Sequence, residues 1–411
     1  MQKRLRPKRK LKIAIFHLAF IYSGGGERLV LEEAIGLSKL GCEVTCFSPV
    51  VDRKNCFPEL LSKVEIKRLF PKLPKWFPDR ELISILISCI LTPLFFLRFK
   101  EYDLYFGANQ PGPWIAYALA KLNKKPYAIY LAQPTRIIHP RLIDQKIGFR
   151  LNDGFTLLNL IPKLFKPIFG FFDTKSIKEA PLVFSNGSYA KGLLEEVYGI
   201  KTVNCPAGTH LGGKPTQEII ASRFKGFVKL NAVKIKKPYV LLTNRHFPHK
   251  KFEYAIDAVL LIKKKIPLVI TGQETAYTRF LKKKYKKEKN IYFVGILAER
   301  ELAKAYKNAS VYVYSAPEED FGMGIIEAMG FGVPTVAFGN AGPTGIIENG
   351  KDSFLARPFS IKDFSEKIEL VLKNRKLYTK IAYAAFEKVA NHFSYERHNR
   401  LLLKHFLKFL G

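Results

Sequence analysis

Acidic residues are scarce in this chain. Asp and Glu number 35 against 68 Lys and Arg, leaving a formal charge of +33. Three explanations compete for that imbalance: a nucleic-acid partner, an anionic membrane surface, or a lysine-rich proteome, the last favoured as a contributor by lysines scattered over helix faces. Nucleic acid fits least well, because zinc-finger spacing, RNP-like aromatics and a recognition-helix pattern are all missing. Cysteine is also sparse. Cys42, Cys46, Cys56, Cys89 and Cys205 are odd in number and dispersed, which excludes a disulfide framework and metal-ligand spacing and suits a reducing, cytosolic location. The basic N-terminus, MQKRLRPKRKLK, is followed by no apolar signal region, so no signal peptide is expected. The uncharged run Leu82–Leu97 contains Pro93 and is short of the ~20 residues a spanning helix needs. Of two readings, a buried helix of the first domain or a membrane-lying segment, the first is preferred. A G-x-G-x-x-G dinucleotide fingerprint is lacking, and no Asp-x-Asp is placed for a metal.

What is present points to α/β structure. A length of 411 residues with 47% hydrophobic content suits two domains, each with its own core. Lys12–Leu18 reads as a first strand, followed by the glycine loop Gly24-Gly25-Gly26 and a helix opening at Glu27. Glycines at that place let backbone approach a ligand. Further strands are expected at Tyr102–Phe106, Tyr127–Tyr130, Leu182–Ser188 (a strand and its exit), Pro238–Leu242, Leu268–Gly272 and Ile291–Gly295. Residues near 213–236 are lysine-rich and read as a connector.

The most informative stretch runs from Val311 to Glu348. Val311–Tyr314 and Thr335–Phe338 are short apolar strands around a helix over Phe321–Met329, a βαβ pattern that implies a parallel sheet. Gly322 and Gly324 in the first helical turn, with Met323 between them, expose backbone N–H groups suited to a phosphate. Glu319 precedes that helix and Glu327 lies about two turns inside it. A carboxylate accepts two hydrogen bonds at once, so each can grip a vicinal diol. One anion site flanked by two diol clamps suits a nucleotide sugar; an ordinary crossover with surface glutamates is the competing interpretation.

Glu319-x7-Glu327, followed by Ala328-Met329-Gly330-x-Gly332-x-Pro334, resembles the Glu-x7-Glu segment of retaining glycosyltransferases of family 4. Gly24-Gly25-x-Glu27-Arg28-Leu29-Val30 and Asn55-Cys56-Phe57 are similar in wording to the dolichol-pathway type of α-mannosyltransferase within it. The resemblance implies the GT-B fold: two Rossmann-like domains facing across a cleft. It places an acceptor domain at 1–212, a donor domain at 213–392, and a last helix near 393–411 that returns to the first domain. It implies that Arg245 and Lys250 neutralise the leaving diphosphate. Glu319 would meet the hexose and Glu327 the ribose, while Gly322, Met323, Gly324, Gly25, Gly26 and Gly295 complete the donor site. Gln133 and Arg136 fall near the acceptor or sugar. There are departures: Ala132 stands where related enzymes carry a histidine, Asn244 replaces a glycine ahead of Arg245, and Gly345 replaces a glutamate. His139 is read as a surface-loop histidine.

The implied reaction is metal-independent hexosyl transfer, with mannose from GDP-mannose as the best match. The acceptor is lipid-linked or a polysaccharide precursor, and there is no cofactor. A UDP-sugar donor is the alternative within the family. A rival of another class is a non-catalytic module held to membrane or nucleic acid by its charge. Large apolar residues interleaved with lysines over Arg141–Lys178 suit either a core helix pair or a membrane interface. With the basic N-terminus they favour peripheral association at the inner face of a membrane, from the cytoplasmic side.

Overall fold

The computed structural model describes residues 10–74, 76, 80–136, 138–142 and 166–411. It divides into two compact units, Met1–Gly208 with Tyr395–Gly411, and Thr209–Ser394.

The sheet of the first unit is wholly parallel. Its strands are β1 (Lys12–His17), β2 (Glu43–Ser48), β3 (Glu65–Arg68), β4 (Leu104–Ala108), β5 (Tyr127–Leu131), β6 (Val183–Ser185) and β7 (Val203–Asn204), in the order β3-β2-β1-β4-β5-β6-β7. The central strands are apolar at consecutive positions and fully buried, as a sheet covered on both faces requires. The chain moves outward from β1 to one side and then returns to β4 on the other. The gap between the C-terminal ends of β1 and β4 is therefore a topological switch point, where such sheets bind ligands. His17, at the end of β1, donates from Nδ1 to the Ala108 carbonyl at 3.1 Å and ties the two strand ends together.

Helices of this unit include α1 (Gly25–Lys39), α2 (Arg80–Leu91), α3 (Gly112–Asn123) and α4 (Lys166–Lys178). The C-terminal helix Tyr395–Leu410 packs on α1. There His398 Nε2 meets the Glu33 carboxylate at 3.1 Å, and Asn399 donates to the Glu32 carbonyl.

The run Leu82–Leu97 is not the buried helix expected from its apolarity. α2 continues as a 3-10 turn over Thr92–Phe99, and Ile90, Leu94, Phe95 and Leu97 are exposed. By length and composition Arg80–Phe99 could cross a membrane, and 17% of its most apolar stretch is buried. On α4, Ile168, Phe171 and Phe172 are likewise exposed. The apolar positions Phe149–Phe165 of the same sequence feature lie outside the described residues.

The second unit opens with a hairpin, β8 (Phe227–Leu230) and β9 (Val233–Lys236), preceded by a helical turn at Gln217–Ser222. Residues 213–236 are thus folded within this unit rather than forming a plain connector. Val228, Leu230 and Ile235 alternate inward while the lysines point out. The main sheet holds β10 (Val240–Thr243), β11 (Leu268–Thr271), β12 (Ile291–Gly295), β13 (Val311–Tyr314), β14 (Thr335–Phe338) and β15 (Phe354–Ala356), all parallel, in the order β12-β11-β10-β13-β14-β15. Its switch point lies between β10 and β13. Helices α5 (Phe252–Leu260), α6 (Ala276–Lys284) and α7 (Met323–Gly330) include those that follow β10, β11 and β13.

Candidate active site

Two loops leave the sheet of the second unit at its switch point, Asn244–Lys251 after β10 and Ser315–Gly322 after β13. They are joined by an ion pair. Lys250 Nζ donates to Glu319 Oε2 at 2.5 Å, with side chains only 11% and 18% exposed. Two further contacts fix the Glu319 carboxylate and its backbone. The Tyr314 hydroxyl hydrogen-bonds the carboxylate, and burial together with that negative charge pushes the phenol well above its ordinary pKa. Gly342 N–H donates to the Glu319 carbonyl at 2.7 Å. A Cβ at Gly342 would lie 2.5–2.6 Å from the backbone of residues 319–321, so only glycine lets the second loop rest there. The turn Gly342–Gly345 thereby braces the site through backbone contact, although Gly345 carries no carboxylate.

Glu327 sits on α7, about one turn after its start rather than two. Its Oε2 accepts from the Tyr306 hydroxyl at 2.7 Å, and Tyr306 in turn meets Thr243 Oγ1 at 2.8 Å. Thr243 also meets the Tyr312 hydroxyl at 3.0 Å. Burial, then the nearby Glu327 charge, raises the Tyr306 phenol well above its usual pKa, so it stays a neutral donor. Gly324 is required by this cluster, since a Cβ there would stand 2.2 Å from the Tyr312 oxygen. Gly322 is the N-cap of α7 with φ +111°, a left-handed conformation suited to glycine, so the helix begins at Met323 rather than Phe321.

Arg245 is half-buried, its guanidinium 5.5 Å from the Phe247 ring. The loop bearing it is pinned by buried His246, whose Nδ1 lies 2.9 Å from Thr278 Oγ1 and whose carbonyl accepts from Thr275 Oγ1. Burial lowers the His246 pKa to about 4. Gly295 stands apart from the Lys250–Glu319 pair, at the end of edge strand β12, where its carbonyl accepts from Thr271 at 2.6 Å and from Gly272 at 3.1 Å. Among the described residues, no group of three or more His, Cys, Asp or Glu side chains is arranged to hold a metal ion.

In the first unit, Gly25 and Gly26 form the first turn of α1, capped by Gly24. Asn109, after β4, lies beside Gly26 and accepts from the Ala132 N–H at 3.2 Å. The loops after β1, β4 and β5 thus meet at that switch point. Gln133 and Arg136 pair with one another, Arg136 Nε donating to Gln133 Oε1 at 3.1 Å, with Arg136 buried and Gln133 exposed. His139 is not a plain surface histidine. Its ring packs edge-on against Tyr198 at 5.3 Å, and burial lowers its pKa.

Residues 227–388 match the family model described as "Glycosyl transferases group 1". The second unit therefore carries a group 1 glycosyltransferase domain. Similarity beyond it takes two forms. An alpha-1,3/1,6-mannosyltransferase ALG2 of Dictyostelium discoideum is 22% identical over 95% of this chain and 97% of its own length. A probable sucrose-phosphate synthase of Thermosipho melanesiensis is 29% identical, over 40% of either chain. The solved structure of Anabaena Alr3699/HepE in complex with UDP and glucose aligns with a TM-score of 0.72 at 17% identity, covering 96% of this chain and 99% of that one. The fold is thereby GT-B, with two Rossmann-like domains.

Sequence reasoning missed several residues of this site. Tyr314 read only as a strand position, and Tyr306 was not singled out. Arg223 gave no signal at all, yet it is fully buried and caps the C-terminal end of α7. Its guanidinium donates to the carbonyls of Phe331 (2.5 Å), Gly332 (2.6 Å) and Lys307 (3.1 Å). A cation at that end complements the helix dipole and fixes the helix that presents Glu327.

Proposed function

We propose that this glycosyltransferase is a retaining enzyme of family 4 that moves mannose from GDP-mannose to a lipid-linked or polysaccharide-precursor acceptor without a metal ion. The observation that carries the donor site is the Lys250–Glu319 pair at the switch point between β10 and β13. In this reading Lys250 and Arg245 meet the diphosphate and stabilise the charge that develops as it leaves. Backbone N–H groups at Gly322, Met323 and Gly324 add to that cradle at the α7 N-terminus. Glu319 faces the hexose, and Glu327, oriented by Tyr306, takes the ribose diol. Transfer passes through an oxocarbenium-like state, so these residues act by positioning and by charge. Gly25, Gly26, Gln133 and Arg136 are assigned to the phosphate and acceptor side.

Mannose is favoured by extent of similarity: the mannosyltransferase relative aligns over 95% of the chain, the sucrose-phosphate synthase over 40%. A UDP-sugar is the second reading, favoured by the solved neighbour that holds UDP and glucose. The exposed apolar residues of α2 and α4 support attachment at the cytoplasmic face of a membrane. To test the assignment, the protein is incubated with GDP-mannose or UDP-glucose and a short-chain polyprenyl-diphosphate glycan, and the product linkage is read by NMR. An α-mannosyl product supports the reading. Transfer from the UDP-sugar alone replaces the donor, and inertness toward both overturns it.

A further inference from the structure

The geometry points to a second contact surface in the second unit, one that fits an anionic lipid surface. Strands β10 to β13 are parallel, so their N-terminal ends share one edge of the sheet, opposite the loops that hold Lys250 and Glu319. That edge is continuous. Leu268 N–H donates to the Asn290 carbonyl at 2.8 Å, Val240 N–H to Pro267 at 2.8 Å, and Ser310 N–H to Tyr239 at 3.0 Å. With neighbouring strands ~4.8 Å apart, the four chain entries form a row on the order of 15 Å long.

Lysines crowd this row. Lys263, Lys264 and Lys265 are exposed directly ahead of β11, and Lys286, Lys287 and Lys289 directly ahead of β12. Glu288 is the one carboxylate in these two segments, and none of the six lysines is in an ion pair among the described residues. Unneutralised like charge held this closely repels itself, and a polyanion relieves it. Lipid fits the chemistry better than nucleic acid. Leu261, 58% exposed, projects beside Lys263–Lys265, an apolar side chain among point charges as at a headgroup boundary. The single aromatic of the two segments, Tyr285, is buried and offers bases no stacking platform. A bilayer at this edge leaves the donor loops at the other end of the sheet open. The inference shares the membrane partner of the proposed function, but not its donor or acceptor.

The test is partition of the full chain onto phosphatidylcholine vesicles with and without phosphatidylglycerol. Two triple variants are compared with the parent, K263Q/K264Q/K265Q and K286Q/K287Q/K289Q. Each triple is expected to weaken binding to the anionic vesicles by about 100-fold, at about fivefold per lysine, and to leave binding to neutral vesicles unchanged. Nucleotide-induced thermal stabilisation should stay at the parent value, which shows that the variants are folded and the donor loops intact. Unchanged partition in both triples overturns the inference. So does loss of single-stranded RNA binding in the triples with vesicle binding retained, which makes the surface one for nucleic acid. Lysine-dependent vesicle binding in a protein inert toward every sugar nucleotide sinks the proposed function and leaves this inference standing.

Discussion

Replacing Tyr306 by phenylalanine removes one oxygen from the centre of the candidate donor site. The ring remains stacked on Phe331 at 5.6 Å, and Thr243 keeps its contact with Tyr312, so the perturbation falls on Glu327. A hydrogen bond to an ionised group contributes about 1.5–3 kcal/mol, and this one is part of the fold itself, so that loss appears as stability. At about 2–4 °C per kcal/mol for a unit of this size, Tm falls by roughly 6 °C. Donor affinity falls separately, because a carboxylate freed from Tyr306 must be ordered on binding. Ordering one side chain costs about 0.5–1.5 kcal/mol, which weakens nucleotide binding about two- to tenfold. Thermal titration with the sugar nucleotide reads both effects. In a Glu327→Ala background the Tm cost of Tyr306→Phe should shrink, since the carboxylate it donates to is gone. An undiminished Tm cost in that background refutes the proposed role of Tyr306.

Lys250→Met should lower kcat by about 10²–10³ if this cation stabilises the departing diphosphate, with steady-state kinetics as the check. Arg223→Met leaves three carbonyls without their charged donor and should cost at least about 3 kcal/mol, read as a Tm drop of roughly 10 °C. For His246 the folded pKa of about 4 lies below the ordinary 6.5, so the unfolded chain binds more protons between those values. Its stabilising effect is full above 6.5 and is lost as pH falls toward 4, by up to about 3 kcal/mol. His246→Gln should flatten the acid limb of a stability–pH curve over that window.

The strands were legible because a parallel sheet buried on both faces leaves continuous apolar runs, as at Val311–Tyr314 and Thr335–Phe338. The spacing of Glu319 and Glu327 was legible because both lie on one loop–helix segment. Pairings across long sequence separations left no local trace. Arg223 reaches Gly332 from 109 residues away, and Lys250 reaches Glu319 from 69. Residues 213–236 show why composition misleads: the lysines of Phe227–Leu230 and Val233–Lys236 suggest a solvated connector, while the period-two apolar positions beneath them build a hairpin. Apolarity at Leu82–Leu97 could not say which way those side chains face, because a protein core and a lipid surface select the same residues.

The most direct measurement is a thermal-shift screen with GDP, UDP, ADP and their sugars, with and without EDTA, on the parent chain and Glu327→Ala. A ligand that binds only the folded state raises Tm with its concentration. The account predicts a shift with GDP-mannose that EDTA does not change and that Glu327→Ala abolishes. A shift that survives Glu327→Ala, or no shift with any sugar nucleotide, contradicts it.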